Sequence, residues 1–138
     1  MLLTEITQDM IDTALVLPAR GLVWVPANGQ IVYRKFDTSY ILNKQRDAAG
    51  LEIDMYWVGA EQMTLNDLFT NCVWLPTPYE IRDLAAAKFM AFLNLAETQR
   101  TPVVWRCEYS PGFIGKGTTP WEAEFYILDK YIVGNCDA

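Results

Sequence analysis

Apolar and polar residues alternate in several short runs of this chain, and a turn or breaker closes nearly every run. Leu51, Ile53, Met55 and Trp57 alternate with Glu52, Asp54, Tyr56 and Val58. Val103, Trp105 and Cys107 alternate with Val104, Arg106 and Glu108, and Trp121, Ala123, Phe125 and Ile127 with Glu122, Glu124, Tyr126 and Leu128. A period of two is that of a strand with one buried face. Asn28-Gly29, between the runs 22–26 and 30–36, is a strong hairpin signal, because a type I′ turn needs positive φ at both central positions. The charged stretch 44–50 joins the runs 39–43 and 51–58 into a second hairpin. Short hairpin connections predict an α+β fold: an antiparallel sheet with helices on one face. A length of 138 residues fits a single domain spanning 1–138.

The helix signals are capping signals. Thr7 caps a short helix that Pro18 ends near Leu17. Thr64, with Asp67 three residues on, caps a second over 64–71, ahead of an apolar strand-like run 72–75. In Thr77-Pro78-Tyr79-Glu80 the threonine caps, the proline takes the first helical position, and the glutamate reaches back to the cap amide. From there Ile81, Ala85, Phe89, Phe92, Leu93 and Ala96 recur at helical spacing, which predicts a long helix to about Thr98. Residues 110–120, with Gly112, Gly115 and Gly117, read as a loop between two strands. The second of these starts at Trp121 and bends at Asp129-Lys130.

Composition removes whole classes of chemistry. There is no histidine, so Ser-His-Asp and Cys-His catalysis and histidine-ligated metals are excluded. The three cysteines, Cys72, Cys107 and Cys136, form no C-x-x-C pair, which argues against a zinc site or a disulfide framework. A net charge of −6 repels phosphate backbones and disfavours nucleic-acid binding. No apolar run approaches the roughly 18 residues of a membrane span, and no basic-then-apolar leader opens the chain, so a soluble, cytoplasmic protein is expected. The run Gly112-Phe113-Ile114-Gly115-Lys116-Gly117-Thr118 fails as a phosphate loop, because Gly117 stands where a hydroxyl must follow the lysine. No cofactor is expected.

What remains is rich in aromatic rings, with five tryptophans and seven tyrosines. Most pack in a core, but an indole left open can stack on a planar ligand. Trp24, Trp57 and Trp74 are the candidates for stacking, and Arg34, Arg106 and Lys116 for a phosphate. Glu52 with Asp54, and Glu122 with Glu124, are expected to share strand faces. They are the candidates for an acidic surface that blocks a nuclease or a host defence complex, or for paired-carboxylate catalysis.

One segment carries a family resemblance. Met63-Thr64-Leu65-Asn66-Asp67-Leu68-Phe69-Thr70-Asn71, ending at Trp74, resembles the closing helix-then-tryptophan segment of the phage Thoeris anti-defence type 2 family, and the order of elements across 7–75 is similar. The chain departs from that family in placing Cys72-Val73 before the tryptophan, with one extra residue, and in reducing a basic stretch to Arg20. Residues 76–138 have no counterpart. The resemblance implies a non-catalytic, homo-oligomeric sponge that sequesters a cyclic ADP-ribose-type signalling nucleotide and so blinds a bacterial immune system. It carries over Thr64, Asp67 and Trp74 as site residues. The resulting expectation is a binding protein, not an enzyme, that captures a small nucleotide-like ligand or a basic host protein.

Overall fold

The computed structural model describes residues 5–133, so Cys136 lies outside the described residues. The chain divides into two compact units: Trp24–Leu75, and the chain on either side of it. The α+β fold, with antiparallel hairpin sheets and helices packed on one face, is as the alternation predicts.

Trp24–Leu75 holds a five-stranded antiparallel sheet. Its strands are β1 (Ile31–Arg34), β2 (Ser39–Arg46), β3 (Glu52–Val58), β4 (Glu61–Thr64) and β5 (Cys72–Trp74), in the order β4-β3-β2-β1-β5. The β2–β3 hairpin forms as expected, and the Asp47 carboxylate folds its turn by accepting from the Ala49 and Leu51 amides. The helix α1 (Leu65–Asn71) starts where Thr64 Oγ1 accepts from the Asp67 amide. It closes one face of the sheet: Leu68 is buried with Val32, Leu42, Tyr56, Val58, Met63 and Cys72.

The expected strand over 22–26 does not form. Val23 and Val25 are 75% and 73% exposed, and Pro26 has no amide to donate to a ladder. The Asn28-Gly29 turn is tied to β2 instead, since Gly29 N–H donates to the Leu42 carbonyl and Asn28 Oδ1 accepts from the Lys44 amide. Strand β4 was not anticipated. Its signal is Gly59-Ala60 between the register partners Val58 and Glu61, a two-residue hairpin loop with positive φ at Gly59.

The flanking unit holds the helix α2 (Gln8–Val16), capped by Thr7 as expected, then α3 (Pro78–Ala86), the meander β6 (Ala91–Arg100), β7 (Val103–Ser110) and β8 (Phe113–Gly117), and α4 (Pro120–Ile127), which runs on into a π-helical turn over Leu128–Ile132. Three expectations fail here. The capping box of α3 forms as read, but the helix stops at Ala86. Its end is a Schellman motif, in which Met90 N–H donates to the Ala85 carbonyl and Phe89 N–H to that of Ala86. The left-handed position is taken by Phe89 at φ 60° rather than by glycine, so no terminator was visible. Phe89 and Leu93 are 95% and 57% exposed rather than core residues. The predicted loop 110–120 contains β8.

The predicted strand from Trp121 is α4. Thr119-Pro120-Trp121-Glu122 repeats the signature of Thr77-Pro78-Tyr79-Glu80, and Thr119 Oγ1 accepts from the Glu122 amide. Trp121, Ala123, Glu124, Phe125, Ile127 and Leu128 are all buried. A helix buried on nearly every side shows no apolar stripe, and its sequence can alternate by accident.

Helix α4 lies on the meander over Gly115 and Gly117. A β-carbon on Gly115 would sit 2.5 Å from the Ala123 carbonyl oxygen, and one on Gly117 2.6 Å from the Ala123 nitrogen. Both contacts are with backbone and cannot swing aside. Gly115→Ala should therefore destabilise the protein by about 1–3 kcal/mol, measured as a fall in the urea midpoint at unchanged slope.

Burial pushes the Cys72 thiol up to about 11, against a lowering by Arg34 and Lys35, and the Cys107 thiol up to about 12, with Glu124 adding to the burial. In the unfolded chain these thiols ionise near their ordinary values. Their contribution to stability is thus complete below about pH 8.5 and drains away as pH rises through 11–12. In a Cys136→Ser variant, native protein at pH 8 should leave a thiol reagent unreacted, and the urea midpoint should fall between pH 8 and 10.5 by more than it does in a Cys72→Ala/Cys107→Ala variant.

Candidate binding surfaces

In the Trp24–Leu75 unit the sequence-predicted residues divide between two sheet faces. Trp24 is turned inward: its ring packs edge-on to Phe69 at 5.3 Å, and its Nε1 donates to Gln30 Oε1 at 2.8 Å. Trp74 is 8% exposed, and its Nε1 has no acceptor among the described residues. Arg34 is register partner to Cys72 and forms an ion pair with Glu61, which places it on the α1-covered face. Thr64 is occupied in capping α1, and Asp67 sits in the first turn of that helix.

Trp57 lies on the opposite face and is 38% exposed. Its register partners are Asn43 on β2 and Gln62 on β4. Gln62 Nε2 reaches across β3 to donate to Gln45 Oε1. The indole is therefore flanked by three carboxamides, each able to donate and accept. Arg34 is on the other side of the sheet, so Trp57 and Arg34 do not meet. The sequence marks Trp57 but not Gln62, because β4 carries no recognised strand signal, nor Asn43 and Gln45, which only the β2–β3 register brings beside it.

In the flanking unit, Arg106 and Lys116 are register partners on β7 and β8. Arg106 is paired with Glu108. Lys116 lines a cavity of about 150 Å³ with Asp9, Thr13, Glu122, Tyr126 and Asp129. Carboxylates outnumber the ammonium there, which opposes a phosphate.

The expected carboxylate pair does not exist as a face, because Glu122 and Glu124 lie two apart on a helix and diverge. Glu122 accepts from the Thr118 amide and hydroxyl and from the Thr7 hydroxyl. Glu124 is fully buried, and Arg82 Nε and Nη2 each donate to it at 2.9 Å while the Tyr109 hydroxyl donates at 2.8 Å. Of the four acidic residues expected to form a blocking surface, only Glu52 and Asp54 stand exposed.

Helices α3 and α4, with β6, frame a cleft of about 260 Å³ over this cluster. Pro78, Tyr79, Arg82, Leu95, Pro120 and Trp121 line it. The Trp121 Nε1 donates to the Pro76 carbonyl at 2.8 Å, so the indole is fixed as a floor. Burial and the adjacent carboxylate raise the Tyr109 phenol well above its ordinary range. Burial works against the Arg82 charge, but the bonds to Glu124 outweigh it and the net shift is upward. Both groups keep their protons near neutral pH, so the cluster holds its geometry instead of passing protons.

Among the described residues, no group of three or more His, Cys, Asp and Glu could hold a metal ion, and no helix is long and apolar enough to cross a membrane. Glu124→Ala would leave Arg82 and the Tyr109 hydroxyl without their acceptor. It should cost about 3 kcal/mol, read from urea unfolding, while Glu52→Ala on the exposed strand face should change stability by no more than about 0.5 kcal/mol. No protein-family model, no curated protein and no solved structure matches this chain.

Proposed function

We propose that this chain is a non-catalytic binding protein that takes the ring of a nucleotide-like ligand onto Trp57. The observation that carries the reading is an open indole on a sheet face, with the carboxamides of Asn43, Gln45 and Gln62 around it. Stacking on an aromatic face contributes roughly 1–3 kcal/mol per base. Asn and Gln side chains match the paired donor and acceptor on the edge of a purine. A rigid strand, pinned between two neighbours, holds the indole ready without further ordering cost.

The ligand class extends to a cyclic ADP-ribose-type or other cyclic nucleotide signal, as the resemblance of residues 7–75 implies, and sequestration of that signal is the proposed biological role. With Arg34 on the other sheet face and bonded to Glu61, recognition is led by the base. The acidic-inhibitor reading is weakened by the burial of Glu124 and the bonding of Glu122.

Titration calorimetry with adenosine, 3′,5′-cyclic AMP and cyclic ADP-ribose tests this. At least one should bind and raise the melting temperature. Trp57→Ala should weaken that binding by roughly tenfold or more, and Gln62→Ala by a few-fold, with the unliganded melting point nearly unchanged. Heat evolved equally by wild type and Trp57→Ala, or by neither with any of the three, contradicts the proposal.

A further inference from the structure

The charged residues of the five-stranded sheet are sorted by face. Strands β2, β3 and β4 carry five of them: Lys44, Arg46, Glu52, Asp54 and Glu61. All five fall on the side opposite Trp57. Lys44 is register partner to Tyr56, Arg46 to Glu52, and Glu61 to Val58, and partners directly across a ladder share a face. Lys44 Nζ meets Asp54 Oδ1 at 3.8 Å, and Arg34, on that same side, pairs with Glu61. The strand positions left beside Trp57 are Ile41, Asn43, Gln45, Met55 and Gln62, and none of them ionises. A chain of net charge −6 therefore presents its open indole on strand positions that carry no charge of either sign.

Such a face treats the parts of a nucleotide differently. A phosphate laid against an indole and neutral amides gives up water and meets no counter-charge. A purine and its ribose meet what they need: the ring stacks, and its edge and the hydroxyls pair with carboxamides. Gln62 Nε2 donates to Gln45 Oε1. Among the described residues, nothing bonds Gln45 Nε2, Gln62 Oε1 or the Asn43 carboxamide. The Gln45–Gln62 bond thus fixes one donor and one acceptor for an uncharged edge, the pair that adenine also reads in Asn and Gln.

We propose that the Trp57 face selects an uncharged ligand, the base and ribose of a purine nucleoside, and that a phosphate on that nucleoside stays in water and adds no affinity. The proposal rests on Trp57 as the stacking platform and goes beyond it in assigning the part of the ligand that is read. A cyclic nucleotide is held in the same way, by its base, with its phosphate outward. The negative charge of the whole chain acts in the same direction, because it repels a phosphate at long range, and salt screens that repulsion.

Titration calorimetry with adenosine and adenosine 5′-monophosphate, each at about 50 and 500 mM NaCl, tests this. Adenosine should bind with an affinity that salt leaves unchanged. The monophosphate should bind a few-fold more weakly at the lower salt and approach adenosine at the higher. Ile41→Lys, at a position 53% exposed, puts an ammonium on the face. It should leave adenosine binding nearly unchanged and make the monophosphate several-fold the tighter ligand. Glu52→Gln makes the same change in net charge on the other side of the sheet and should leave the monophosphate the weaker ligand. A monophosphate that binds wild type more tightly than adenosine and loses that advantage in salt, or an Ile41→Lys variant that still prefers adenosine, overturns the selection for an uncharged ligand. The stacking reading survives either result if Trp57→Ala still weakens adenosine binding. No binding of either compound overturns both.

Discussion

A carboxylate removed from water must find its counter-charge and hydrogen bonds in place, and Glu124 is such a group. With no exposure of its own, it requires Arg82 from α3 and Tyr109 from β7 to converge on α4. That requirement sets how the two helices and the meander of the flanking unit approach one another. The glycines of β8 then let α4 lie against the sheet at backbone distance. The cleft over the cluster lies beside Pro78 and Pro120, where the two helices begin.

The Trp24–Leu75 unit is organised by a different constraint. A helix closes one face of its sheet, and β2, β3 and β4 divide their side chains between that core face and an exposed one. Tyr56 and Val58 serve the core, and Trp57 between them does not. A large aromatic ring left on an exposed strand face, with neutral amides beside it, gives a flat ligand a surface on which to stack. It is the arrangement a binding protein needs when the ligand is flat and carries its own hydrogen-bonding edge.

How far the sequence could be read depended on whether each signal was local. Capping by Thr7, Thr64 and Thr77 was legible because each cap and the amide it bonds lie within four positions, with Pro78 and Glu80 adding to the signal at Thr77. The β2–β3 hairpin was legible for the same reason. The end of α3 was not, because a phenylalanine fills the corner that glycine ordinarily marks. Helix α4 was mistaken for a strand because burial on almost all sides erased its stripe, although Thr119-Pro120-Trp121-Glu122 offered the right cue. The Arg82–Glu124–Tyr109 cluster joins positions up to 42 apart, and no local pattern announces such a pairing. Trp57 was found by its residue type and its alternation, while its amide neighbours needed the strand order.

A protein that binds without catalysis returns its ligand unchanged. Mass spectrometry of small molecules released by heat from the protein, after incubation with an extract of nucleotides and nucleosides, tests this most directly. Capture without catalysis requires recovery of one ring-bearing compound, chemically identical to a component supplied, in an amount approaching one per binding face. Recovery of a compound that was not supplied, growing with incubation time, would contradict it.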